Sequence, residues 1–493
     1  MFLTSREMYA AEDAIFASGV AAETLMNSAG KKIAQEILGR FTETPQGRAV
    51  AVIGTGNNGA DALVAVRHLK EAGWSVAVRS AISPSEMTGL LAKKWRELEA
   101  PSLLDSLEEF HKPGAFVILD GLLGIGTKGD LREPHSKLAS EINDLSHKRT
   151  VYVVAVDVPS GLDCDSGHCG KNTVHANLTC TLGSPKIGLI ADEATAHVGS
   201  LTLHQLDGLS DWNLKKDHLI TPATLPVKKL SRCYEFHKGQ AGRVGIIAGS
   251  RGLAGAAALT SLGALRGGGG LVTLFVKKAD YSLILPLIPV EVMVKPIDRY
   301  TEVLNENFDA LAIGPGLGET SQDILSVING FMGPAVIDAD ALNLIARSSY
   351  ISTLRTNHLV TPHPGEMTRL LPSEDCPGEN RASTARKFTA VSEATLLFKG
   401  ARTIVTDQNS PLAYNTTGTP GMATGGQGDV LSGLLAALMA RGFEPLGAAK
   451  MGTWLCGRAS ELALSYHSEE SLSATNTAEF LGSAFKKLRS API

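Results

Sequence analysis

Short apolar runs that end in glycine turns recur along this chain, and that alternation limits the folds open to it. Ala49–Ile53 leads into Gly54–Gly59, Phe116–Leu119 into Asp120–Gly126, and Val151–Val156 into Asp157–Gly161. Helical patterns lie between them, such as Ala62–Ala72 after the first turn. A wholly apolar run of this length suits a strand buried on both faces. Strand, loop and helix in succession therefore predict a parallel α/β sheet covered by helices. In such sheets ligands lie beyond the carboxyl ends of the strands, and all three loops fall on that edge.

The pattern stops and then restarts. Asp211–His237 contains Pro222, Pro226, Lys228 and Lys229 with few apolar pairs, and reads as a linker. It separates a first domain, residues 1–215, from a second, residues 222–493. A length of 493 residues agrees with more than one domain. The second half resumes with Val244–Ile247 and the loop Ala248–Gly255. Ala310–Ile313 with Gly314–Gly318, Ala335–Ile337 with Asp338–Asp340, and His358–Thr361 with Pro362–Glu366 follow. Two later apolar runs occupy Thr395–Phe398 and Thr403–Thr406.

Charge and composition exclude several classes of function. Forty-six Lys and Arg against 50 Asp and Glu leave a net charge of −4, without the basic excess of a protein that binds nucleic acid or an anionic membrane. Aromatic residues are 5% of the chain, too few for a base-stacking surface. Ala254–Val272 is Ala/Gly-rich and interrupted by Arg266, short of the ~20 apolar residues of a spanning helix. Met1–Asp13 carries Arg6, Glu7, Glu12 and Asp13, which leaves no signal-peptide core. Cysteines 164, 169, 180, 233, 376 and 456 have no metal-ligand spacing and read as reduced thiols of a cytoplasmic protein.

The sharpest local signal is Met422–Gly433, where Gly425, Gly426 and Gly428 precede Asp429 and a long apolar helix. Glycines admit a ligand close to the backbone, and a helix N-terminus turns free N–H groups toward it. Such a loop suits a phosphate in transfer. Asp429 then reads either as an N-cap or as a general base taking a proton from a substrate hydroxyl. Lys399 in Lys399–Thr403 reads either as a solvated strand-end lysine or as a phosphate contact. In His363–Glu366, His363 reads as structural or substrate-binding, and Glu366 as a holder of water around magnesium. Asp338 and Asp340 suit helix caps. The chain has no GxxxxGK[ST] loop.

In the first half Gly54, Gly56 and Gly59 form GxGxxG, but the next strand ends Val76-Ala77-Val78-Arg79, without the acid that binds a ribose. A standard NAD-dependent dehydrogenase is therefore disfavoured. The side-chain carbonyls of Asn57 and Asn58, with Asp120 and Ser160 from neighbouring strand ends, suit a monovalent cation. Asp157 reads as a turn residue before Pro159 or as a functional carboxylate.

In this order the motifs resemble those of the bifunctional NAD(P)H-hydrate repair enzymes, which join an epimerase to an ADP-dependent dehydratase. The resemblance rests on Asn57–Asp61, Asp120–Asp130, Asp157–Gly161 and Pro185–Gly188 in the first half. In the second it rests on His237–Gly239, Gly249-Ser250, Gly314–Gly318, Asp338–Leu342, Thr361–Glu366 and Gly425–Asp429. It implies a Rossmann-like three-layer α/β domain followed by a ribokinase-like α/β domain. It implies a cation site for K+ at Asn58, Asp120 and Ser160. Hydrate-binding positions would be Asn57, Asn58, Gly59, Ala60 and Asp61, then Gly124, Ile125, Gly126, Thr127, Lys128, Gly129 and Asp130, with Asp157 the acid/base. In the second domain it implies hydrate binding at Ala256, Gly318, His363 and Asp429, and nucleotide binding at Lys399, Gly400, Ala401, Arg402, Thr403 and Gly428. The amides of Gly425 and Gly426 join that phosphate cradle. Mg2+ and K+ would be cofactors, ADP the co-substrate, and a symmetric homo-oligomer the assembly.

The implied chemistry suits the residues. The hydroxyl of a hydrated nicotinamide ring leaves poorly as hydroxide, and phosphorylation from ADP makes it a good leaving group. The alternative is a ribokinase-like kinase of a small vitamin-precursor alcohol. Four positions depart from the family pattern. Ala60 and Ala62 replace glycines, at a cost of about 1 kcal/mol wherever φ is positive. Gln427 stands where Thr is common, and Asn476 replaces an Asp.

Overall fold

The apolar runs of the first half become the central strands of a parallel sheet. The computed structural model describes residues 1–491 except 43, 45, 100, 113, 149, 210–213, 319–321 and 372–379, so Cys376 and part of the expected linker lie outside the described residues. Contacts divide the chain into two compact units, residues 1–213 and 214–493. The first contains β1 (Arg48–Ile53), β2 (Ser75–Ser80), β3 (Ser102–Leu103), β4 (Phe116–Gly121), β5 (Val151–Val156), β6 (Leu178–Leu182) and β7 (Ser200–His204). They pair in parallel in the order β3-β2-β1-β4-β5-β6-β7. Val50, Val52, Ile118 and Val153 are fully buried between the covering helices.

The chain runs outward from β1 to β3 and then returns to lay β4 on the other side of β1. That reversal opens a crevice at the carboxyl ends of β1 and β4, the place where α/β sheets bind ligands. The helix after β1 begins at Asn57 rather than near Ala62. Asn57–Asp61 is therefore helical, and neither Ala60 nor Ala62 has positive φ. The expected strain is absent there. Ala62 instead packs where a methyl on Gly121 would come within 2.7 Å of its Cβ.

The second unit contains β8 (His218–Leu219), β9 (Arg243–Ile247), β10 (Leu271–Lys277), β11 (Met293–Ile297), β12 (Ala310–Ile313), β13 (Ala335–Ile337), β14 (His358–Val360), β15 (Thr395–Phe398), β16 (Thr403–Thr406) and β17 (Ala413–Asn415). Their order is β11-β10-β9-β12-β13-β14-β15-β16-β17-β8. Pairing is parallel from β11 to β15, then antiparallel through β16 and β17. The same reversal recurs, here between β9 and β12.

The expected linker is corrected by this sheet. Residues 218–219 form the edge strand β8, parallel to β17. Ile220, Leu225 and Leu230 are buried in the second unit's core. Pro222 and Pro226 mark the starts of short turns that carry these residues inward.

One helix organises the second unit. Gln427–Ala440 is buried from Val430 to Met439 and packs on β9, β12 and β13. Against the helix Ala254–Arg266 it makes a backbone contact. A methyl on Gly433 would lie 1.9 Å from the Thr260 carbonyl oxygen, and one on Gly263 would lie 2.2 Å from that of Val430. Glycine is thus required by space at both positions. Gly433→Ala is expected to lower stability by about 2–3 kcal/mol through overpacking, read as an earlier urea midpoint. An unchanged midpoint would refute the contact.

Candidate active sites

In the first unit the loops after β1, β4 and β5 and the helix Ser5–Ala17 enclose a cavity of about 720 Å³. Its walls include Tyr9, Glu12, Asn57, Asn58, Asp61 and Asp157. Gly124–Lys128 and Asp130 close it from the β4 side. Gly59 and Ala60, in the first turn of the helix Asn57–Glu71, and Gly129, in the loop after β4, do not line it.

Asp157 follows β5 at φ 66°, a left-handed conformation that carbon-branched residues avoid but Asp tolerates. Its Oδ1 accepts from the Leu182 amide at 2.9 Å, the Thr181 hydroxyl at 3.2 Å and the ammonium of Lys186. Lys186 is wholly buried and also donates to the Leu182 carbonyl at 2.9 Å. A buried charge pair persists only with such additional hydrogen bonds. Asp61 is also buried, and among the described residues its carboxyl accepts no hydrogen bond. Burial first, then the charges of Asp157 and Glu12, hold it well above the ordinary carboxylate range. Burial also raises Glu12.

Asn58, which lines the cavity, and Ser160, paired with Asp120, meet at the backbone of Leu123. The Ser160 hydroxyl donates to Asp120 Oδ1 at 2.6 Å and the Ser160 amide to Oδ2 at 2.8 Å. Asn58 Nδ2 donates to the carbonyls of Leu123 at 3.0 Å and Val156 at 2.7 Å. Asp120 is fully buried, and burial lifts its carboxyl to about 6 against the hydrogen bonds that lower it.

In the second unit the strand ends gather a different cluster. Asp338 is the N-cap residue of Ala339–Arg347 but makes no side-chain capping bond. Its carboxylate instead accepts from Lys399 Nζ at 2.8 Å and from the Ser432 hydroxyl at 2.7 Å. Lys399 reaches Glu366 at 3.8 Å. Burial alone would lower this lysine, but Asp338, Glu366 and Asp429 outweigh it and hold the ammonium above its usual value. Lys399 is therefore a half-buried partner of carboxylates, not a solvated strand-end lysine. Gly428 lies beside it, where a methyl would be 3.4 Å from Nζ.

Asp429 stands in the first turn of its helix, whose N-cap is Gly426 at φ 90°. It makes no capping bond, and among the described residues its carboxyl accepts no hydrogen bond. Burial, then Asp338, raise it to about 6 against the pull of Lys399. Asp340 accepts from the Gly318 amide at 2.8 Å, so it too is no cap. Ala256 packs against Gly316, where an added methyl would lie 2.6 Å from its Cβ. His363 caps Pro364–Leu370 through Nδ1, and Glu366 Oε2 accepts from the His363 amide at 2.8 Å.

Lys399–Thr403 forms the turn between antiparallel β15 and β16. Arg402 is 4% exposed, and burial pushes its guanidinium down to about 10. Thr403 Oγ1 donates to the Gly400 carbonyl at 2.9 Å. Arg381 clamps the turn, donating to the carbonyls of Phe398, Lys399 and Arg402 at 2.9, 2.9 and 3.0 Å. Gly425 is open, with nothing within 4 Å of an added methyl.

The sequence did not single out Lys186, Thr181, Tyr9, Ser432 or Arg381 as site residues. Lys186 had one signal, its place in Pro185–Gly188. Asn476, unexplained by the motif comparison, completes a capping box: the Ser473 hydroxyl and amide donate to its Oδ1 at 2.6 and 3.0 Å. Among the described residues no helix is long and apolar enough to cross a membrane, and no group of three His, Cys, Asp or Glu side chains is arranged to hold a metal. Lys186→Met would strand a buried carboxylate and is expected to cost about 3–5 kcal/mol, read by urea unfolding. Adding Asp157→Asn should restore part of that loss, and an unaltered midpoint for the single variant would show that the pair is not buried.

Comparison with known proteins gives two family matches. The family described as YjeF-related protein N-terminus matches residues 22–188, and that described as NAD(P)H-hydrate dehydratase matches residues 244–481. The bifunctional NAD(P)H-hydrate repair enzyme Nnr of Moorella thermoacetica is 33% identical over 94% of this chain and 92% of its own length. That of Coxiella burnetii is 33% identical over 93% and 94%. A solved ADP/ATP-dependent NAD(P)H-hydrate dehydratase from Bacillus subtilis, co-crystallised with ATP and Mg2+, is 29% identical over 54% of this chain and 95% of its own, with a TM-score of 0.46. Similarity that spans both units at this level places the chain in the family of bifunctional NAD(P)H-hydrate repair enzymes.

Proposed function

We propose that residues 1–213 interconvert the R and S epimers of NAD(P)H hydrate and that residues 214–493 dehydrate the S form with ADP. The observation that carries the second activity is Asp429. It is a carboxyl without a hydrogen-bond partner among the described residues, set in the first turn of a helix beside Lys399 and Gly428.

Asp429 takes the proton of the ring hydroxyl, and the freed oxygen attacks the terminal phosphorus of ADP. The bridging P–O bond breaks and AMP leaves. Amides at Gly425, Gly426 and Gly428, backed by the positive end of the helix, stabilise the charge on the transferring phosphoryl group. Phosphate then departs from the ring carbon as the ring nitrogen supplies its electron pair, and loss of a neighbouring proton restores the dihydropyridine. The sum is hydrate plus ADP giving NAD(P)H, AMP and phosphate. Lys399, kept charged by Asp338, offers the nucleotide a fixed positive point.

Two ions suit the oxygen donors present. Glu366 is a hard oxygen donor suited to hold magnesium through water, and the ion would neutralise phosphate charge. Asn58, Asp120 and Ser160 are hard oxygen donors suited to potassium. Asp120 is a buried carboxyl whose hydrogen bonds come from Ser160 and backbone amides, and the cation would balance its charge.

Hydrated NADH incubated with ADP and magnesium should regain the absorbance of the reduced nicotinamide. Asp429→Asn should lower that rate by about 10²–10⁴-fold with the unfolding midpoint retained. A base must be ionised to act. With Asp429 at about 6, kcat/KM should be full above neutrality and fall about tenfold per unit below pH 6. No return of absorbance with either ADP or ATP would refute the dehydratase reading. A stable phosphate ester of a small alcohol would identify a kinase instead.

A further inference from the structure

We infer that Asp61 is the proton donor of the epimerisation and Asp157 the proton acceptor, so that the ring hydroxyl leaves as water and returns as water on the other face. The assignment rests on the reading of residues 1–213 as the epimerase. It deepens that reading by giving Asp61, so far only a binding position, a chemical step.

Geometry carries it. Both carboxyls open on the one cavity. Asp61 projects from the helix Asn57–Glu71 and is 8% exposed. Among the described residues it has neither a hydrogen-bond partner nor an ion pair. An ionised carboxylate in that position would bear a desolvation penalty of several kcal/mol with nothing to offset it. The neutral acid avoids the penalty and retains an O–H to give. Asp157 is its opposite. Three donors, among them the Lys186 ammonium, converge on its Oδ1, which suits the carboxylate form. Among the described residues no donor reaches Oδ2, which is left for a water molecule.

The charged and titratable groups around the pair agree with this division. Lys186 faces Asp157. Glu12 and Tyr9, from the helix Ser5–Ala17, line the same cavity, and burial raises both. Lys128 is committed to Asp163 and Asp165 at 2.6 and 2.9 Å. No cation among these is paired to Asp61. A carboxyl without a donor beside one that accepts three hydrogen bonds is an arrangement suited to an acid and a base working together.

The step balances. The Asp61 proton passes to the hydroxyl oxygen as the C–O bond breaks and water forms. The electron pair of the ring nitrogen becomes the second C–N bond. A water on the opposite face then forms a new C–O bond, the C–N π pair returns to nitrogen, and the surplus proton goes to Asp157. Asp61 is left ionised and Asp157 protonated. Exchange with solvent resets the pair, or the next molecule runs the reverse inversion.

The test uses the full chain with a single epimer of NADH hydrate and no nucleotide, so that dehydration does not interfere. Epimers are separated by chromatography. Asp61→Asn should lower the enzyme-dependent inversion rate by about 10²–10⁴-fold with KM within about threefold of wild type. Formate added to Asp61→Ala should restore part of the rate, a rescue that a purely structural residue would not show. In H218O the wild-type enzyme should place one solvent oxygen on the ring carbon per inversion, a readout that does not depend on a variant folding. Wild-type enzyme that leaves the epimers unchanged would overturn the epimerase reading itself. Wild-type inversion with Asp61→Asn at full rate, or inversion that retains the original oxygen, would overturn the Asp61 assignment alone.

Discussion

A carboxylate taken out of water costs several kcal/mol unless a cation and hydrogen bonds accompany it, and both units are arranged around that cost. Each holds one buried acid in an ion pair, Asp157 with Lys186 and Asp338 with Lys399. Each sets a second acid near the first without a hydrogen bond of its own, Asp61 in one and Asp429 in the other. The paired acid repels charge from its neighbour, and burial does the rest, so the second carboxyl is driven toward its protonated form. Remove either lysine and both the stability and the proton chemistry of that unit change together.

The sheets explain why these acids meet. In each unit the strand order reverses beside the first long strand, next to β4 in one and next to β12 in the other. The reversal separates the loops at the carboxyl ends and leaves room between them. Loops from four or five strands then converge on one edge, and residues more than a hundred positions apart in sequence become neighbours. The proposed chemistry at the two edges answers one difficulty, that hydroxide is a poor leaving group. One unit would protonate the oxygen and the other phosphorylate it.

Much of this was legible in the sequence because strands buried on both faces are written as unbroken apolar runs, and their loops carry glycine. The loop before Asp429 and the turn that starts at Asp157 stood out for that reason. Reading failed where two signals competed. Pro222 and Pro226 outweighed Ile220, Leu225 and Leu230, so a segment of the second unit's core and edge read as a linker. Asn57–Asp61 read as a turn because glycine and asparagine dominate it, although the helix starts there. Long-range partners had no local mark at all. Arg381 clamps a turn about twenty residues away, and Ser432 binds an acid 94 positions earlier. Asn476 was the reverse case, since its partner Ser473 is three residues away and the pairing is a local cap.

Where Gly433 rests on the Thr260 carbonyl, two helices meet without a layer of side chains between them. Side-chain layers yield by changing rotamer, and main chain against main chain has no such slack. The helix that carries Asp429 and the helix that carries Ala256 therefore behave as one strut. A ligand that tilts either end moves both, and accommodation to molecules of different size falls to the loops at their tips.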